Sequence, residues 1–153
     1  MYESAEAYRA YESGLFFWTG RIFEDTYGEW TGKRVLSFTN VVYHVTEMFL
    51  FLKRYYEKFA EDANVHIGLT LSDTEGRKLV PMFSNDGALY GDYICHDEEI
   101  TFEGDYPVAQ LRASDTTIAR SAIRSRIYEL FNWNNAQETM IESRQKLLLE
   151  RRL

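Results

Sequence analysis

The sequence predicts an α+β domain, an antiparallel sheet of four to five strands with helices packed on one face. Three observations carry this reading. Apolar residues recur at three- and four-residue steps from Ser37 to about residue 60, alternate strictly between Val65 and Leu71, and return to helical spacing from Ser114 onward. Helix, strands and helices therefore come in blocks, whereas a parallel α/β fold would interleave them.

The 153 residues read as a single domain. A chain of this size buries roughly 70% of its unfolded surface, so its core needs neither metal nor disulfide. Residues 1–32 form an aromatic-rich N-terminal segment, 33–133 the core and 134–153 a C-terminal helix. Glu3 to Glu12 is compatible with a helix. Phe16, Phe17, Trp18, Phe23, Tyr27 and Trp30 follow within fifteen residues, too many rings for a free tail, and are expected to pack on the domain or on a neighbour.

The long helix, about 37–60, is marked by Phe38, Val41, Val42, Val45, Met48, Phe49, Leu52, Tyr55, Tyr56 and Phe59, with Ser37 as its N-cap. Asp62 to Asn64 breaks it. Val65, Ile67, Leu69 and Leu71 alternate with His66, Gly68 and Thr70 as in a half-buried strand. Ser72 to Gly76 reads as a hairpin loop returning through Arg77 to Pro81. A second hairpin is expected from Leu89–His96 to Ile100–Glu103, and Asp105 to Leu111 as an edge strand or crossing loop, since Pro107 suits an edge. Ser114 or Asp115 caps a helix through Phe131. Asn135, three residues before Glu138, starts the last one.

Composition bounds the function. A single cysteine forms no internal disulfide, the N-terminus MYESAEAYRAYE has no secretory pattern, and the longest compact apolar run is Met48 to Leu52. A cytoplasmic protein without a membrane segment is expected. Residues 1–105 hold 19 acids and 9 bases, net −10; residues 106–153 hold 5 and 8, net +3; together these give −7. An acidic chain repels phosphate backbones overall, leaving nucleic acid only a local basic face in the last third.

Three stretches invite chemistry. In YICHDEE, residues 93–99, the lone Cys95 stands beside His96 and three acids. Adjacent strand residues point to opposite faces, so Cys95 and His96 do not share an ion or a proton, and Asp97 to Glu99 suit a hydrated turn. Cys95 is expected in the core and His96 in solvent. His44 and Glu47 share a helix face, but the later helices supply no second histidine for a metal pair, and His44 is read as a hydrogen-bonded, partly buried residue. The seven acids from Asp86 to Asp105 lack calcium-loop spacing and read as a solvated face. Phosphate-loop, dinucleotide, nucleophile-elbow and HExxH patterns are absent. No catalytic residue, metal or cofactor is expected; Cys95 or His44 would carry the reaction if the chain were a small enzyme.

Two stretches invite binding instead. Arg112, Arg120, Arg124 and Arg126 make an arginine face on the penultimate helix, suited to phosphates or nucleic acid, or else to this chain's own acids. Leu147, Leu148, Arg151 and Arg152 on the last helix suit a protein partner or a second copy.

The segments LSFTNVVYHVTEMFLFLKRYYEKF (36–59), VHIGLTLSDTEGRKLV (65–80) and LRASDTTIARSAIRSRIYELFNW (111–133) together resemble the C-terminal region of bacterial Schlafen/AlbA-type DNA-binding proteins. The AlbA-like part of that family, with its Glu-x-Phe-Lys type signature, is not in these residues, so its activity does not carry over. The resemblance implies a non-catalytic accessory module, serving interaction or regulation beside a bacterial nucleic-acid-binding protein.

Overall fold

The computed structural model describes residues 6–151. The chain runs β1 (Ala7–Ala10), β2 (Phe16–Thr19), two short 3₁₀ turns (Phe23–Asp25 and Gly28–Trp30), β3 (Val35–Ser37), α1 (Phe38–Tyr55), β4 (Asn64–Ser72), β5 (Lys78–Val80), β6 (Glu99–Pro107), α2 (Val108–Ala122), a π-type segment (Ile123–Tyr128) and α3 (Glu138–Glu150). The fold is α+β, and no helix among the described residues is long and apolar enough to cross a membrane.

Helix α1 follows its periodicity. The Ser37 hydroxyl accepts the Asn40 N–H at 3.1 Å, and Val41, Val42, Val45 and Phe49 are buried along one stripe. Lys53 and Arg54 close the last turn, where cations complement the helix dipole.

The single sheet of four to five strands is replaced by three two-stranded ones: β1 with β2 antiparallel, β3 with β5 parallel, and β4 with β6 antiparallel over nine residue pairs. The alternation placed β4 correctly but not its partner. Asp73 and Gly76 take φ of 59° and 73°, turning the chain away from β4. The N–H of Thr74 then donates to Glu98 O at 3.0 Å and that of Gly76 to Cys95 O at 2.8 Å. Residues 72–76 are thus held by the 95–98 stretch rather than closing a hairpin. From 89 to 96 only Ile94 bridges to Lys78, so the second expected hairpin is absent too.

Other boundaries shift for local reasons. Ala7–Ala10 within the Glu3–Glu12 stretch is hairpin strand rather than helix, the stretch's first three residues lying outside the described residues. Pro107, its φ at −57°, ends β6 and opens α2 seven residues before Ser114. Ser114 still marks a break, with φ −137° and ψ 23° kinking the helix. Gln137, not Asn135, precedes α3 and makes no side-chain cap.

Val65, Ile67 and Leu69 on β4 and Ile100 on β6 face a core shared with α1, α2 and α3, while His66, Gly68 and Thr70 face solvent. Near its centre Tyr128 is fully buried, its hydroxyl donating to Phe38 O at 2.6 Å. Burial first, then the Asp86 carboxylate, raises its pKa well above 10.0, against a smaller opposing effect of Arg144. A phenol pKa raised by folding contributes stability that is complete below the unfolded value and lost as pH rises through the folded one. Alkaline unfolding of the wild type is therefore expected above pH 10.0, and Tyr128→Phe should flatten that limb of a stability-versus-pH curve from thermal melts. An identical alkaline limb in the variant would contradict this assignment.

Candidate functional site

The arginine face is bonded inward. Arg120 Nε donates to Gln145 Oε1 at 3.1 Å, and its two Nη atoms lie 3.6 Å from Glu138 and Glu142 of α3. Arg124 reaches the other Glu138 oxygen at 3.4 Å. Arg112 donates to Phe59 O at 3.2 Å and pairs with Glu61 at 3.5 Å, near the end of α1. Arg126 Nε donates to Thr101 O of β6 at 2.7 Å. Arg120 and Arg124 converge on Glu138, while the other two serve different parts of the fold.

Cys95 is in the core and His96 is exposed, with Asp97 to Glu99 in solvent, although the segment forms only the single bridge at Ile94 and no strand. Cys95 N–H donates to Arg77 O at 3.0 Å. His44 is exposed rather than partly buried. Among the described residues no group of three or more His, Cys, Asp or Glu is placed to hold a metal ion. On α3, Leu147 and Leu148 are half-buried and Arg151 is exposed; Arg152 lies outside the described residues.

What the sequence did not reveal is a set of buried polar anchors. Glu24 Oε1 accepts the Ser37 N–H at 2.8 Å and Asn40 Nδ2 at 3.0 Å, placing a carboxylate at the start of α1. Asp86 accepts the Thr39 hydroxyl at 2.6 Å and the N–H groups of Met82 and Phe83, both at 2.8 Å. Arg77 and Gln145 tie together segments far apart in sequence. Their signal is three-dimensional, since each looks like an ordinary surface residue in the chain.

The surface most suited to recognition is aromatic. In the β1–β2 hairpin Tyr8 stands opposite Trp18 and Arg9 opposite Phe17. Phe16 packs inward on Phe51 and Tyr55 of α1, with ring centroids 4.6 and 5.3 Å away. The ladder continues through Tyr56 to Phe59, at 4.9 and 5.0 Å. Tyr56 also donates its hydroxyl to Gly14 O at 2.8 Å. Gly14 has φ +87°, and a Cβ there would stand 3.0 Å from the Phe59 ring, so the tip requires glycine.

The hairpin is thus fixed to α1 by one inward ring and its tip, and the rest of it stays in solvent. Tyr8 is 78% exposed, Leu15 and Phe17 each 57%, and Phe51 and Phe59 about two-fifths. By alternation Phe17 and Arg9 share the outward face, while Tyr8 and Trp18 share the face of Phe16, so large apolar side chains are exposed on both faces of the hairpin and on the adjoining end of α1. A cavity of about 120 Å³ lies between Trp18 of β2, Ile22, Phe23, Met48, Leu69 and Leu71, with His44 at its wall. No protein-family model, curated protein or solved structure matches this chain.

Proposed function

We propose that the chain is a non-catalytic interaction module whose docking surface is the aromatic hairpin on the C-terminal half of α1. The observation that carries this is the exposure of Tyr8, Leu15, Phe17, Phe51 and Phe59 on one anchored unit. Rings of this kind desolvate large areas with few rotatable bonds, which is why aromatics dominate interface energetics. The resemblance to the accessory region of Schlafen/AlbA-type proteins supports the same reading, and suggests bacterial nucleic-acid machinery as the partner's setting. Binding of phosphate or nucleic acid through the arginines has less support, because each already donates to, or pairs with, a group of this chain.

The test is affinity capture with the wild type and with Leu15→Ser/Phe17→Ser. Both positions are exposed, so the double variant should keep its melting temperature within a few degrees. The expected result is a protein retained stoichiometrically by the wild type and lost by the folded variant. Retention by both, or by neither, would reject the hairpin as the docking surface. Salt-sensitive DNA or RNA binding that disappears in Arg120→Ala/Arg124→Ala would favour the arginine face instead.

A further inference from the structure

The two edges of the β4–β6 sheet are treated differently. On the β6 side, Arg126 from the π-type segment donates to Thr101 O, covering that edge. On the β4 side, among the described residues, nothing bonds to the backbone of residues 64–72 except β6 itself. Strand β4 is nine residues long, carries no proline, and has His66 as its one titratable side chain. Proteins blunt exposed edges with charge, proline, bulges or brevity, and β4 has none of these.

We propose that β4 pairs antiparallel with β4 of a second copy about a two-fold axis, making a continuous four-stranded sheet. This surface is the backbone edge of β4 rather than the exposed rings of the hairpin, although Trp18 of β2 lines the same cavity as Leu69 and Leu71. Residues directly opposite in an antiparallel pair share a face, so the sum of paired residue numbers must be even; full overlap of residues 64–72 sets it at 136. Gly68 then meets itself, His66 meets Thr70 and Asn64 meets Ser72 on the outer face. On the inner face Val65 meets Leu71 and Ile67 meets Leu69.

Apolar side chains therefore meet apolar ones and small uncharged ones meet their like, so the strand complements itself. The acids Glu99, Glu103 and Asp105 stand on β6. Three strand spacings, about 14 Å, would separate the two β6 strands, beyond the Debye length of about 8 Å at physiological salt. Residual repulsion between chains of net charge −7 makes dimerisation tighter as salt rises.

Gly68 supplies the test, because a Cβ there meets nothing within 4 Å; within the protomer it stands opposite Glu103 of β6, so a lysine at 68 gains a cross-strand partner and a glutamate meets a like charge. Sedimentation equilibrium is expected to show a concentration-dependent dimer for the wild type and for Gly68→Thr. Gly68→Glu sets like charges face to face across the axis and should weaken association at least tenfold, whereas each lysine of Gly68→Lys is countered by Glu103 of its own protomer and should weaken it less. An equimolar mixture of the two should recover a heterodimer. Circular dichroism confirms that each variant is folded. A wild type that stays monomeric at millimolar concentration overturns the proposal, as does a dimer indifferent to Gly68→Glu or a mixture that fails to recover.

Discussion

Arg77→Ala is expected to lower the stability of the domain by about 3 kcal/mol, at the lower end of what breaking a buried ion pair costs. Arg77 is 1% exposed, and each of its five N–H groups has an acceptor. Nε donates to Asp73 O at 2.6 Å; Nη1 to Asp25 Oδ1 at 2.7 Å and Val35 O at 3.1 Å; Nη2 to Asp25 Oδ2 at 2.7 Å and Asp73 Oδ2 at 2.9 Å. One side chain thereby joins the first 3₁₀ turn, β3 and the 73–76 loop. Burial alone would lower its pKa, but the Asp25 and Asp73 carboxylates outweigh burial and raise it. The lower end of the range applies because the Asp25 and Asp73 side chains are 39% and 63% exposed, so water rehydrates them once the guanidinium is gone. Arg77→Lys should recover little, since an ammonium lacks the planar fork that reaches both carboxylates and Val35 O. For a chain of this length the loss corresponds to a melting temperature lower by about 6–12 °C.

The pH dependence of that loss has a definite sign. Arg34 first, and then Arg77, hold the Asp73 carboxyl below its ordinary value of 3.8. A depressed carboxyl pKa contributes stability present above the unfolded value and lost as pH falls through the folded one. The gap between wild type and Arg77→Ala is therefore expected to be full near neutrality and to narrow below about pH 4. Urea melts across pH 3 to 7 measure this, and a gap that widens in acid would contradict the assignment.

How legible the fold was in the sequence depended on the range of the interactions. Helix α1, its Ser37 cap and the alternation of β4 follow from periods of 3.6 and 2 and from a hydroxyl three residues before an N–H. Strand partners do not follow from such local rules. Lys78 to Val80 has a reasonable strand pattern, but whether it returns along β4 or crosses to β3 was decided by two residues in left-handed backbone and by hydrogen bonds to residues 95 and 98. Arg112 and Arg120 stand on α2 and Arg124 and Arg126 on the π-type segment that follows it, whereas the acids paired with them come from α3 and from the loop after α1. The N-terminal rings were expected to pack on the domain or a neighbour. Phe16 does the first, and Phe17, one residue on, is left facing out by strand alternation.

Gln145→Leu should destabilise the domain by about 2–3 kcal/mol, whereas Leu148→Glu on the same helix should cost under about 1 kcal/mol. In sequence the order looks reversed, because three leucines dominate the end of α3. The packing explains the inversion. Gln145 is 1% exposed; its Nε2 donates to Thr46 Oγ1 of α1 at 3.1 Å and to Thr116 O of α2 at 2.9 Å, and its Oε1 accepts from Arg120. Arg144, also buried, donates to Asn85 O at 2.7 Å. Of the apolar residues on α3 only Ile141 is fully buried, and Leu147, Leu148 and Leu149 are partly buried. Leucine at 145 fills similar space but strands a threonine hydroxyl, a carbonyl and a guanidinium N–H, each at the cost of an unmet buried polar group. Glutamate at 148 gives up only the partial burial of that leucine and leaves the Gln145 and Arg144 hydrogen bonds in place. Fraying of α3 in Gln145→Leu should expose Arg144 and Lys146, so limited trypsin digestion is expected to cleave there faster than in the wild type. If Leu148→Glu proved the more destabilising change, or if Gln145→Leu resisted trypsin like the wild type, α3 would be held by its leucines and the polar docking would be refuted.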